Sequence, residues 1–159
     1  MSSAAEVQQA SPALTAYGRA LAEAGAAALT GPREELGERL VRTLLTNFED
    51  PETSPQLLEA FRTAISSDEG AAQMRQWMSS QLPAQAGEAL GKPTTDLAEA
   101  TATLLQVPPL HANAAAAQVW GLIILRYILK IDPIASISTD EVCELIAPTI
   151  QRYYTSVTS

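Results

Sequence analysis

One cysteine, one histidine and a 5% aromatic share are all the 159-residue chain offers of these residue types. A lone Cys143 excludes an internal disulfide, and within an apolar helical pattern it reads as a small buried hydrophobe. A lone His111 excludes a metal site built on several histidines. Positive charge is also scarce: ten Lys and Arg against eighteen acids leave a net charge of −8. The ten are scattered and form no basic run or stripe, which argues against a surface that displaces counterions from nucleic-acid phosphates. No basic start followed by an apolar stretch marks a secretory signal. The acidity fits an expected cytoplasmic location.

Uninterrupted apolar runs are lacking as well. The segment 112–131 is about long enough to span a bilayer, but Asn113, Gln118 and Arg126 interrupt it. Arginine at mid-span costs at least ~2.5 kcal/mol. A buried central helix is expected, with no membrane contact. No segment of useful length alternates with period two, so strands are not expected.

What is present is alanine and leucine, within a 47% hydrophobic share, punctuated by Ser, Thr, Asp, Gly and Pro. Both residues lose little rotamer freedom in a helix. Ser11-Pro12 reads as a cap and first helical position, opening a helix to about Leu29, with residues 1–10 frayed. Gly31-Pro32 restarts the chain, and Leu36, Leu40, Val41, Leu44, Leu45 and Phe48 recur at helical spacing up to Asp50-Pro51. Ser54-Pro55 opens the next helix, with a buried stripe of Leu57, Leu58, Phe61, Ala64 and Ile65. Ser66 with Glu69 fits a capping box. The helix that follows carries Met74, Trp77, Met78 and Leu82 on one side, is kinked or divided by Pro83, and closes at Gly91. A short helix over 94–106, starting near Thr95, precedes the break at Val107-Pro108-Pro109. From Pro109 to about Ile131 runs a helix apolar nearly all round, which must be covered on most sides. Asp132-Pro133 ends it. Ser138 with Glu141 is a second capping box, and a last helix, bent by Pro148, runs to about Val157. The pattern predicts an all-α bundle of about seven helices.

Two passages carry a family resemblance. One is Gly31-Pro-Arg-Glu-Glu-Leu-Gly-Glu-Arg-Leu-Val-Arg-Thr-Leu-Leu. The other is Gly121-Leu-Ile-Ile-Leu-Arg-Tyr-Ile-Leu-Lys-Ile-Asp-Pro-Ile-Ala-Ser with the later Ala147-Pro-Thr-Ile-Gln-Arg-Tyr-Tyr. Together they resemble the C-terminal domain of actinobacterial tetracycline-repressor-type (TetR) regulators, over about residues 25–156. The resemblance implies a helical bundle around a small-molecule pocket, with residues 1–24 as an N-terminal extension and 25–159 as the ligand-binding and dimerisation domain. It implies that helices 109–131 and 139–157 pair with those of a second subunit. Leu122, Leu125, Leu129, Ile146, Ile150 and Tyr153 are then expected at a homodimer seam. Two departures stand out. Residues 1–30 show no helix-turn-helix signature, so direct DNA binding is not expected. Residues 94–110 are longer than the corresponding family segment and lie where they would reshape the pocket mouth.

No residues of this chain form a nucleophile elbow, a Walker loop, a dinucleotide-binding glycine motif or a close acid pair in an apolar run. Neither cofactor nor metal is expected. The pocket candidates are apolar: Met74, Trp77 and Met78 on one helical face, and Trp120 and Tyr127, seven apart, on another. Each is equally a core filler; as pocket walls, Met fits irregular space and Trp stacks on flat rings. Gln118 is offered a partner across the seam or a ligand carbonyl, Arg126 a salt bridge to an acid such as Glu144 or a snorkel to solvent. His111, at the start of the central helix, completes the ligand-binding set.

Two functions follow. The first is a dimeric binding module for a hydrophobic small molecule, acting as sensor, carrier or partner of a full-length regulator. The second is a cofactor-independent enzyme using the same pocket to cyclise a hydrophobic natural product. Orientation alone accelerates such a step, and His111, Gln118, Trp120 and Tyr127 are its candidate residues.

Overall fold

A computed structural model describes residues 12–30, 32–91 and 96–155. Among these residues the architecture is the expected all-α bundle, with no strand. The Ser11 cap, residues 1–10, Gly31, the Thr95 start and Val157 lie outside the described residues.

Pro12 opens α1 (Pro12–Thr30), which buries Ala13, Leu14 and Tyr17. This helix passes residues 24 and 25 without a break. A 3-10 turn at Arg33–Glu35 leads into α2 (Leu36–Glu49), whose Leu36, Val41, Leu44, Leu45 and Phe48 are buried along the stripe that the periodicity predicts. Helix α3 (Ser54–Ser66) buries Leu57 and Phe61. Its Ile65, expected inside, is 53% exposed, because the chain turns away one residue later.

That turn corrects a cap. Ser66 is still helical, whereas Ser67 has the extended backbone an N-cap needs, and its hydroxyl accepts from the Gly70 N–H at 3.0 Å. Helix α4 (Asp68–Gln76) then continues through a π-turn (Trp77–Gln81) into α5 (Leu82–Leu90). Pro83 does not divide this rod. It returns no N–H and its ring crowds the carbonyl four residues back, and the widened turn just before it accommodates both demands. Gly91, at a left-handed φ of 69°, closes α5 as expected.

Helix α6 (Leu97–Leu105) is capped by Asp96, whose carboxylate accepts from the Glu99 N–H. Helix α7 (Pro109–Ile123) ends in a second π-turn (Ile124–Ile128), three residues before the expected end at Ile131. Lys130 adopts a left-handed φ and the Ile131 N–H returns to the Leu125 carbonyl, which terminates the helix before Asp132-Pro133. At the start of α8 (Thr139–Thr155) the capping box is reciprocal: Ser138 N–H donates to Glu141 Oε2 at 2.8 Å, and Glu141 N–H to Ser138 Oγ at 3.2 Å. Helix α8 continues through Pro148, which lies on its exposed side.

The helices pack around one shared core. Helix α2 lies against α8 and α1, α1 against α5, α3 against α4, and α7 against both α6 and α8. Helix α7 and its closing π-turn are covered on only part of their circumference: Ala115, Leu122 and Ile123 are buried, whereas Leu110 and Leu125 are exposed. No helix among the described residues is long and apolar enough to cross a membrane.

An apolar cavity as the candidate functional site

Alanine decides where the core is not filled. On α1, Ala22 and Ala26 are one turn apart, and on α7 Ala112 and Ala116 repeat that spacing, with Ala86 on α5. Leucine or phenylalanine at these positions would interdigitate; the methyl groups leave a cavity of about 230 Å³. Leu36, Leu40 and Leu44 of α2 form one wall, and Leu82 and Leu90 of α5 another. Leu105 and Tyr154 complete it from α6 and α8. Trp77 and Met78 enter from the π-turn, so the wide turn that Pro83 favours also places two large cavity residues.

Six aromatic side chains run through the core beside this space. Trp77 stacks on Tyr17 with centroids 6.1 Å apart and planes at 15°. Tyr17 meets Phe48 edge-on at 5.4 Å, and Phe48 meets both Phe61 at 5.3 Å and Tyr127 at 5.5 Å. Phe61 contacts Trp120 at 4.4 Å. Four of the six, Tyr17, Phe61, Trp77 and Trp120, line the cavity, and they include both tryptophans of the chain. Flat rings held this way give an adaptable surface for an apolar guest.

The electrostatics exclude charge. Among the described residues, no Asp, Glu, Lys, Arg or His lines the cavity. Burial raises the Tyr17 phenol far above its usual range, with the Tyr127 hydroxyl adding to the effect, and pushes Tyr154 up to about 12. Both hydroxyls stay neutral at any physiological pH.

The structure brings Trp77, Met78 and Trp120 together on this lining. The other candidates for ligand contact lie elsewhere. Met74 is packed in the core beside it. Tyr127 stacks on Phe48 and is not part of the lining. His111 Nδ1 sits 2.7 Å from the Tyr153 carbonyl, and Gln118 Nε2 donates to the Tyr153 hydroxyl at 3.4 Å. These two side chains tie α7 to α8. The four residues offered for catalysis therefore do not meet: Trp120 alone of them faces the cavity. The reason is angular: Gln118 and Trp120 are two residues apart on a helix and diverge by more than half a turn.

Arg126 neither reaches Glu144 nor snorkels. It is 7% exposed, donates to the carbonyls of Ile134 and Ile137 at 2.7 and 2.8 Å, and pairs with Glu49 at 3.0 Å. The second Glu49 oxygen accepts from the Thr139 hydroxyl. This network pins the turn before α8 onto α2. Glu144 lies on the exposed side of α8.

The residues expected at a subunit seam divide in two. Leu122 and Ile150 are buried in the chain's own core, at 3% and 1% exposure. Leu125 and Leu129 are exposed, and Ile146 and Tyr153 are half-buried. Leu110, Ala117, Leu145 and Pro148, absent from the expectation, are exposed along the same two helices. Also missed were Tyr17 and the alanines of α1, α5 and α7. The signal for the alanines of α1 and α7 was small residues at i, i+4.

Among known proteins, a family model described as the tetracyclin repressor-like C-terminal domain matches residues 34–154. No curated protein and no solved structure matches the chain.

Proposed function

The chain belongs to the tetracyclin repressor-like C-terminal domains, and from that premise we propose that it is a ligand-binding module that holds an uncharged, hydrophobic small molecule as a homodimer. Domains of this family usually bind small molecules and dimerise. The observation that carries the reading is the cavity of about 230 Å³, walled by both tryptophans and, among the described residues, free of charged side chains. A sequence selected only for stability fills such a space, because each void of this kind forgoes dispersion contacts.

The dimer rests on an uncovered apolar face. Leu110 and Ala117 on α7, Leu125 in the π-turn that follows it, and Leu145 and Pro148 on α8 are exposed, and a Cβ on Gly121 would meet nothing within 4 Å. Exposed leucines on two adjacent helices, with a glycine and an alanine between them, suit close approach by the same helices of a second copy. Such a partner would place four helices across one seam and cover the remaining side of α7.

Calorimetric titration with 2-methylnaphthalene tests the ligand site. The wild-type chain is expected to take up one molecule per subunit. Ala116→Trp, which fills the cavity from α7, is expected to weaken binding at least tenfold while leaving the helical content unchanged. No uptake by the wild-type chain, or equal uptake by the variant, contradicts the reading.

A further inference from the structure

The two ends of the cavity are walled differently, and contacts along its length fix which lining residues stand at which end. At the start of α2, Arg33 donates to the carbonyls of Leu105 and, at 2.9 Å, Tyr154. His111 Nδ1 lies 2.7 Å from the Tyr153 carbonyl, which brings the start of α7 to the same place. Of the lining residues, Leu36, Leu105, Ala112 and Tyr154 therefore gather at this end. Near the other end of α2, Phe48 meets Tyr17 and Phe61 edge-on, Tyr17 stacks on Trp77, and Phe61 contacts Trp120. Tyr17, Phe61, Trp77 and Trp120 line the cavity there. Phe48 also stacks on Tyr127, which lies beyond Trp120, so α2 and α7 run in the same direction along the cavity. From Leu36 to Leu44, and from Ala112 to Trp120, the lining follows each helix for about 12 Å.

The ends suit different chemistry. Four rings at one end offer faces and edges to a flat guest. Toward the other end the α7 wall is reduced to the methyl groups of Ala116 and Ala112, opposite the aliphatic side chains of Leu36, Leu40 and Leu105, and Tyr154 adds one ring. A hydrocarbon chain fills such a space without leaving a polar group unpaired. An arene alone would leave the aliphatic end without contacts, and an alkane alone would leave the four rings without a stacking partner.

We propose that the ligand of this cavity is a neutral arene bearing an alkyl side chain, with the arene among Tyr17, Phe61, Trp77 and Trp120 and the chain running past Ala116 and Ala112 toward Leu105. This rests on the ligand-binding reading of the cavity given above and specifies its chemistry and its orientation.

The test compares ethylbenzene, butylbenzene and hexylbenzene on the full chain, followed by tryptophan emission, since both tryptophans line the cavity. Affinity is expected to rise about threefold to fourfold for each added methylene. Ala112→Phe, which blocks the aliphatic end, is expected to weaken hexylbenzene at least tenfold and to leave ethylbenzene within about threefold. Nuclear Overhauser contacts in the wild-type chain give a second readout: the ring of hexylbenzene is expected to meet Trp77 and Trp120, and its terminal methyl Ala112 and Leu105. Equal affinity of ethylbenzene and hexylbenzene overturns this inference while leaving the cavity reading standing. A gain with chain length that survives in Ala112→Phe, or contacts in the reverse orientation, overturns it as well. If 2-methylnaphthalene binds and no alkylbenzene does, this inference alone falls; if none of the four binds, the cavity reading fails and this inference with it.

Discussion

Tyr17, Tyr127 and Tyr154 share one physical situation. Burial raises all three phenols, Tyr127 and Tyr154 to about 12, since a phenolate in the core would lose its hydration. In the unfolded chain each ionises near pH 10. Stability from these neutral phenols is fully present below pH 10 and drains away as pH rises toward 12, because only the unfolded state then releases its protons freely. A joint titration of helical circular dichroism and phenolate absorbance is expected to show these tyrosines ionising together with the loss of helix above pH 10. Ionisation of all of them with helicity intact would mean that their burial is wrongly described. At this scale the sequence was partly legible. Trp77, Met78 and Trp120 stood out as large apolar groups on helix faces, and they do line the cavity. Arg126 did not reveal its partner: Glu49 is 77 residues away, and nothing local announces such a pairing.

Elements were legible where their signals are local. The Ser138–Glu141 box is a matter of four consecutive residues and forms as read. The first box slipped by one residue because Ser66 and Ser67 offer the same hydroxyl, and only the backbone decides between them. What decides is the tightness of the α3–α4 turn. A Cβ on Gly70 would overlap the backbone carbonyl of Thr63. Alanine normally gains about 1 kcal/mol over glycine inside a helix, but overpacking against backbone costs roughly 1–3 kcal/mol. Gly70→Ala is therefore expected to lower unfolding stability by up to about 2 kcal/mol in denaturant melts. A stabilised variant would show that the turn has room to open. The π-turns escaped the sequence reading. Periodicity sees which residues face inward, and a single widened turn shifts that register too little to register in a short stretch.

On the scale of the whole molecule, the fold class followed from patterning, and the family resemblance agrees with the match over residues 34–154. The cavity was not legible, because an empty space is a property of facing helices: Ala112 and Ala116 look like ordinary helix formers until Ala22, Ala26 and Ala86 are placed beside the same space. The seam was half legible. Helical spacing alone did not separate Leu122, which turns inward, from Leu125, which does not. The proposed dimer makes Leu145, 64% exposed on α8, the most informative position. Leu145→Glu would place a carboxylate in the seam and is expected to weaken self-association more than tenfold in sedimentation equilibrium, with the helical spectrum unchanged. A dimer of wild-type strength would move the interface to another face.

The proposed function places the ligand in the alanine-walled cavity and not on the exposed leucine face. Intermolecular nuclear Overhauser contacts from bound 2-methylnaphthalene to the protein measure this directly. Contacts are expected to the Trp77 and Trp120 rings and to the methyl groups of Ala112 and Ala116. Contacts confined to Leu110, Leu125 and Leu145 would contradict it.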